Sequence, residues 1–378
     1  MDFRFTAEDE AYRTEVREFI RTEFPKVRDG ESFTKKLAAK GWLTQSWPKE
    51  YGGQDAGHIR QLVYNEEMAY HQAPGQTMGT DRVGPTIILF GTPEQKAEFL
   101  PKIISNDLNW CQGFSEPGSG SDLASLQTRA VRDGDSWVVN GQKIWTSGAQ
   151  RADYMILLAR TDPDAPKHRG ISYFLMDMKA PGVSVRPLVQ MTGQAGFNEV
   201  FFEDVRIPAN RMVGELNRGW YVSTATLDFE RSGIGRVIGG IRTYEQVVAY
   251  AKQTPSTRGK GVLFDEQHIR HALADIGLTF AVGRLLSYRV AWMQSQKLVP
   301  NYEASMAKTL GTELHQKLAR VAINALGMPG QLMGGPQAPL DGSIANFYLS
   351  TVSLTIAAGT SEINRNIIAT RGLGLPRA

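Results

Sequence analysis

The hydrophobic period of this chain changes twice, and those two changes limit what it can fold into. From Ala7 to about Asn109, apolar residues recur at three- and four-residue spacings; Tyr12, Val16, Phe19 and Ile20 form one such face, and a similar face runs from Leu62 to Tyr70. Thr92-Pro93-Glu94-Gln95 adds a helix start, with a capping hydroxyl, a proline at the first helical position and a glutamine at the third. Near residue 110 the texture becomes glycine-rich turns followed by short alternating or continuously apolar runs. These are Trp137 to Val139, Tyr154 to Leu158, Ile171 to Met178, Val183 to Leu188 and Val200 to Phe202. After Val213-Gly214-Glu215 the helical period returns in long pieces, roughly 217–253, 265–296, 301–326 and from about 360.

The pattern predicts an α+β fold, mostly α, in three segments. Residues 1–110 form an N-terminal helical domain, 111–216 a central β domain built as a small barrel or sandwich, and 217–378 a C-terminal four-helix bundle. Gly327 to Asp341, broken by Pro329, Pro336 and Pro339, reads as a functional loop.

Composition narrows the function classes. The 42 basic and 39 acidic residues give a net charge of +3 with no long basic run, so nucleic-acid binding is not expected. Cys111 is the only cysteine, which excludes an intrachain disulfide and a cysteine metal cage; no metal site is expected. The N-terminus lacks an apolar signal core and no segment has the uninterrupted apolar length of a membrane span, so a cytoplasmic enzyme is expected.

Three motifs carry chemistry. In Phe114-Ser115-Glu116-Pro117-Gly118-Ser119-Gly120-Ser121-Asp122, glycines let backbone N–H groups approach a planar ring or a carbonyl, and Ser115 and Ser121 supply short-range hydrogen bonds. Asn140-Gly141-Gln142-Lys143-Ile144-Trp145-Thr146-Ser147-Gly148 follows with an indole and two hydroxyls in a strand context. Near the C-terminus, Ala358-Gly359-Thr360-Ser361-Glu362-Ile363-Asn364-Arg365 opens a helix whose first amides favour a phosphate or carbonyl oxygen. An earlier turn, Trp47-Pro48-Lys49-Glu50-Tyr51-Gly52-Gly53, reads on its own as a surface reversal.

The segment order together with these motifs resembles the acyl-CoA dehydrogenase family. That resemblance implies FAD as cofactor, a central β-barrel, an acyl-CoA substrate and a trans-2-enoyl-CoA product, with the β-hydrogen passing as hydride to flavin N5. It implies that Gln112, Phe114, Ser115, Gly120 and Ser121 border the flavin, with Ser121 also facing the CoA arm. Trp145 would pack on the ring, Thr146 would lie beside it and Ser147 would hydrogen-bond near N5. Thr360 and Glu362 would contact FAD, while Gln267, Asn324 and Gly327 match contacts that family members make across a subunit interface. Electron-transferring flavoprotein would be the electron acceptor, and the assembly a homodimer or homotetramer, with a heterotetramer as the alternative.

The sequence departs from the commonest family pattern at its base. Where many members have a catalytic glutamate before Gly-Thr, this chain has Ala358, whose side chain cannot take a proton but whose backbone N–H can still serve the oxyanion. A subset, including isovaleryl, long-chain and steroid-side-chain members, has the base in a Glu-Arg pair on the first bundle helix. Leu227-Asp228-Phe229-Glu230-Arg231 matches it. Glu230 is therefore taken as the base rather than as a salt-bridged surface residue, with Asp228 and Arg231 as substrate neighbours, Arg231 serving either the CoA moiety or a structural ion pair. The arginine that usually precedes the cofactor glutamine is absent at its spacing, and Arg258 is a displaced substitute. Two rival readings are a non-catalytic partner subunit of a heteromeric dehydrogenase, motivated by Ala358, and a flavin oxidase on the same fold.

Overall fold

The computed structural model describes residues 3–27, 29–231, 233–256 and 259–376, and of residues 227–231 the backbone alone. Arg258, and the side chains of Asp228, Glu230 and Arg231, therefore lie outside the described residues. Contacts group the chain into two units, one of Met1–Arg28, Gly57–Pro74 and Arg231–Ala378, the other of Asp29–Ala56 and Gly75–Glu230.

The second unit is built on a sheet of eight strands: β1 (Trp110–Gly113), β2 (Arg129–Asp133), β3 (Ser136–Lys143), β4 (Tyr154–Arg160), β5 (Ile171–Asp177), β6 (Val183–Leu188), β7 (Phe197–Pro208) and β8 (Met212–Val213). Pairing runs β6-β7-β3-β2-β4-β5-β8, with β1 beside β4. All neighbours are antiparallel except β1 with β4 and a single parallel pairing of β2 with β4, Arg129 opposite Arg160. The continuously apolar run at Tyr154 to Leu158 is explained by burial on both faces. Ile156 and Leu158 enter a core with Trp47, Ile87, Phe99 and Trp110. Met155, Leu157 and Ala159 enter another with Val139, Phe174, Val200 and Phe202.

Flanking helices are Gly30–Ala39, Gly84–Phe90, Pro93–Ile104 and Gly219–Arg231. The expected helix start at Thr92 is a full capping box, Gln95 N–H donating to Thr92 Oγ1 at 3.3 Å and Thr92 N–H to Gln95 Oε1 at 3.1 Å. The same Gln95 side chain donates to the carbonyls of Asn210 and Met212 at 2.7 and 2.8 Å, fastening this helix to the end of the sheet.

The first unit consists of helices Ala7–Glu23, His58–Tyr70, Gly235–Ile238, Ile241–Gln253, Gln267–Ser295, Tyr302–Leu326, Ser343–Thr351 and Ser361–Ile367. Leu62, Ile234, Val237, Ile276, Phe280, Leu314 and Leu318 make one core. Ile269 and Leu273, near the start of one long helix, pack with Ala322, Ala325 and Leu326 at the end of the next. A buried charge cluster ties three helices together: Glu66 accepts from Arg13 at 2.8 Å and from the Tyr288 hydroxyl at 2.9 Å, and it also pairs with Arg284.

The single helix expected over 217–253 is in fact three, Gly219–Arg231, Gly235–Ile238 and Ile241–Gln253. The second break falls at Gly239-Gly240, and a Cβ at Gly240 would lie 2.9 Å from His315 Nε2, so only glycine passes this ring. The broken segment after Gly327 holds only short turns, Met328–Gln331 and Pro339–Gly342, before an unanticipated helix at Ser343–Thr351.

Candidate functional site

In the second unit, the Phe114–Asp122 loop is shaped by bonds that the motif itself supplies. Glu116 and Ser119 exchange backbone hydrogen bonds at 2.9 and 3.0 Å, and the Ser119 hydroxyl donates to the Asp122 carbonyl at 3.0 Å. The buried Glu116 carboxylate accepts from the Gln127 and Thr128 amides at 2.6 and 2.9 Å and from Lys143 Nζ at 2.8 Å. Lys143, completely buried, also donates to the Phe114 carbonyl at 3.0 Å. One residue on, Ile144 N–H donates to the Ser115 carbonyl at 2.9 Å. The two motifs are thus laced together, which brings Ser115 against the Ile144–Ser147 segment. Burial pushes the Lys143 ammonium down to about 8 despite its carboxylate partner. For Glu116 burial acts upward, but Lys143 and the two amides outweigh it and hold the carboxyl below its usual range.

Gly141 aims the second motif. It sits at a register shift in the β3–β7 pairing with φ 148°, and a Cβ there would approach Thr128 Cα to 2.7 Å. Beyond it, Trp145 adopts φ 60°, a backbone conformation uncommon for a bulky residue, and leaves its indole 59% exposed, touching Phe197 edge-on. A strained backbone that turns a large aromatic outward is a feature of ligand-facing positions, not of a core. Thr146 is buried and pinned by Asn198, whose carbonyl accepts from Thr146 N–H at 3.0 Å and whose side chain donates to the Thr146 carbonyl at 2.9 Å. Its own hydroxyl is left without a hydrogen-bond partner, and Ser147 is exposed. Nothing lies within 4 Å of where a Cβ would stand on Gly118 or Gly120, so the glycines of this loop face open space. Gln112 is half-buried on β1 and its Oε1 accepts from Arg82 at 3.2 Å, while Phe114 is buried edge-on against Tyr173.

An exposed indole, open glycine backbone and the exposed Ser147 hydroxyl fit a flat heteroaromatic ring with polar edges, which is what a flavin presents. Thr146 is buried, and its hydroxyl oxygen is enclosed rather than presented at the surface.

In the first unit, Ala358 and Gly359 both take left-handed backbone conformations, with φ 55° and 81°. The Gly359 carbonyl is held from two sides, by the buried Lys308 Nζ at 2.7 Å and by Asn364 Nδ2 at 2.9 Å. Thr360 caps the next helix by accepting from Ile363 N–H at 3.2 Å. Glu362 is exposed, with its carboxyl lowered chiefly by backbone N–H donation. Gln267 is the exposed first residue of its helix, and Asn324 and Gly327 are exposed at the end of the neighbouring one. The packing of Ile269 and Leu273 with Ala322 and Ala325 sets these two helix ends side by side.

Sequence reading missed three supporting groups: the Glu116–Lys143 pair, Arg82 on Gln112, and Lys308. The first two partners were inside quoted motifs, but their meeting depends on strand register. Lys308 could have been suspected as a lysine on the inward face of a helix among Ala304, Gly311 and Thr312. Among the described residues, no group of three or more His, Cys, Asp or Glu could hold a metal ion, and no helix is long and apolar enough to cross a membrane.

Family models match nearly the whole chain: the acyl-CoA dehydrogenase N-terminal domain over residues 6–107, the middle domain over 111–205 and the C-terminal domain over 217–373. Acyl-CoA dehydrogenase IpdE1 of Mycobacterium tuberculosis is 41% identical over 92% of this chain and 88% of its own length. Acyl-CoA dehydrogenase FadE26 of the same organism is 37% identical over 100% of both chains. Among solved structures, the Tcur3481-Tcur3483 steroid ACAD matches with a TM-score of 0.90 at 36% identity, covering 100% of each chain. The ChsE4-ChsE5 complex from Mycobacterium tuberculosis matches with a TM-score of 0.89 at 36% identity, again over 100% of each. The chain belongs to the acyl-CoA dehydrogenase family and is an FAD-dependent enzyme of acyl-CoA dehydrogenation.

Proposed function

We propose that this chain removes the α-proton of an acyl-CoA thioester with Glu230 and receives the developing negative charge on the thioester oxygen with the backbone N–H of Ala358. The observation that carries the reading is the Ala358-Gly359 turn, whose left-handed backbone is held by Lys308 and Asn364 through the Gly359 carbonyl. Proton removal next to a thioester needs both a base and donors aimed at the oxygen. At position 358 the chain keeps the donor and lacks the base. A carboxylate at Glu230, in the Gly219–Arg231 helix, supplies it.

When bound, FAD would supply the two-electron acceptor for the β-hydrogen. The protein's part is to present the substrate: Ser115, Trp145, Thr146 and Ser147 border the ring, Ser121 faces the CoA arm, and Asp228 and Arg231 flank the base. The product is a trans-2-enoyl-CoA. Glu230→Gln is expected to keep FAD and lose at least about a hundredfold in the rate of flavin reduction. Near-normal reduction in that variant would refute the assignment of the base, while loss of FAD would point to a structural role.

A bulky acyl group, such as one attached to a fused ring system, is the substrate class we favour. Its support is the base position together with the likeness to a steroid ACAD at a TM-score of 0.90. Reduction of the flavin by a steroid-side-chain thioester but not by butyryl-CoA tests it. A heteromeric assembly is the second reading, since one of the similar structures is a ChsE4-ChsE5 complex. It predicts that the chain purified alone holds FAD poorly and regains it with a partner chain. Electron-transferring flavoprotein as acceptor and a cytoplasmic location complete the proposal.

A further inference from the structure

We propose that a surface cavity on the helical unit, apart from the residues assigned above, binds a small organic polyanion through its phosphate or carboxylate groups. The cavity has a volume of about 530 Å³ and is lined by Arg21, Tyr70, His71, Arg242, Glu245, Gln246 and Ala249. That volume is in the range of small-ligand sites, which run from about 300 to 1,000 Å³.

Three elements bring charge to it: the last turn of Ala7–Glu23 carries Arg21, the end of His58–Tyr70 carries Tyr70 and His71, and Ile241–Gln253 carries Arg242, Glu245 and Gln246. Five other arginines of the unit are paired with carboxylates. Arg13 and Arg17 pair with Glu66 and Glu67, Arg284 with Glu66, Arg289 with Glu303 and Arg365 with Glu313. Arg21 and Arg242 have no carboxylate partner among the described residues and both line this one cavity, where burial first and then their two charges hold the His71 imidazole below its usual basicity. Two guanidiniums drawn to one cavity repel each other, and an oxyanion between them offsets that cost while using the bidentate geometry that arginine offers.

Two further groups point the same way. His71 Nε2 is buried with no hydrogen-bond partner, 3.6 Å from a Glu67 oxygen that Arg17 already occupies. The imidazole lines the cavity with its Nε2 enclosed behind that lining, so the ring shapes the wall while the two arginines supply the donors. Glu245, the one acid lining the cavity, accepts from the Tyr70 hydroxyl at 3.1 Å, so its charge is partly spread onto a neutral donor. The lining therefore keeps a positive excess. Tyr70 and Ala249 give it an apolar wall, against which the carbon skeleton of the ligand would rest.

The test is isothermal titration of the FAD-loaded protein with pyrophosphate and, separately, with citrate, which distinguishes phosphate from carboxylate as the preferred group. Binding of either, weakened at least about tenfold by Arg21→Gln and by Arg242→Gln, is the expected result. Arg186→Gln, an equal charge change on the sheet unit, should leave the affinity unaltered. The proposal is overturned if neither anion binds more tightly than about 1 mM. It is equally overturned if Arg186→Gln weakens binding as much as the cavity variants do, since general surface charge would then explain it.

Discussion

Replacing Lys143 with methionine tests whether the Glu116–Lys143 pair holds the Phe114–Asp122 loop against the Ile144–Ser147 segment. The substitution nearly conserves volume at a completely buried site, so packing changes little. What goes is the ammonium that bonds both Glu116 and the Phe114 carbonyl. Removing one partner of a buried pair costs about 3–5 kcal/mol. Glu116 keeps its two amide donors from Gln127 and Thr128, which lowers the expected loss to about 2–4 kcal/mol. In thermal unfolding followed by circular dichroism at neutral pH this is a drop in Tm of about 3–5 °C. The pH dependence has a definite sign. Because the Glu116 carboxyl is depressed in the fold, its contribution is complete above the unfolded pKa of about 4.3 and is lost as pH falls through the folded value. The gap between wild type and variant should therefore narrow below about pH 4. Adding Glu116→Gln to Lys143→Met should recover part of the loss, since no unpaired charge then remains. A variant that melts within about 1 °C of wild type and keeps its FAD would refute the reasoning.

Further outcomes follow from other sites. Trp145→Ala removes an exposed ring that little of the protein touches, so Tm should shift by less than about 2 °C while FAD dissociates more readily, measured by equilibrium dialysis. Ala358→Gly relieves a positive φ and keeps the N–H, so stability should rise by up to about 1 kcal/mol in urea unfolding, with flavin reduction close to wild type. Glu66→Gln strips the charge facing Arg13 and Arg284, and denaturant unfolding should show a loss of about 2–4 kcal/mol with the CoA-dependent chemistry unaffected in the folded fraction.

What the sequence made legible was whatever is local. The strand at Val183–Leu188, the long helices Gln267–Ser295 and Tyr302–Leu326, and the capping box at Thr92 all follow from period and capping residues within a few positions of one another. Short strands that take their pairing from distant segments were not legible: β1 lies beside β4 and β2 against β3, and neither Trp110–Gly113 nor Arg129–Asp133 carries a strong alternation of its own. The helix break at Gly239-Gly240 was also missed, because what forbids a side chain at Gly240 is the ring of His315, 75 residues further along. The motifs named candidate residues, but the grip of Lys308 on Gly359 and of Lys143 on Phe114 depends on proximity between separated segments.

The clamp on the Gly359 carbonyl has an evolutionary consequence. Lys308 and Asn364 fix the backbone at this turn without any help from the side chain of residue 358. That side chain is thus free to drift between acidic and inert forms while the neighbouring amide stays where it is. With Glu230 as the proposed base, the acid at position 358 can be given up without rebuilding the turn.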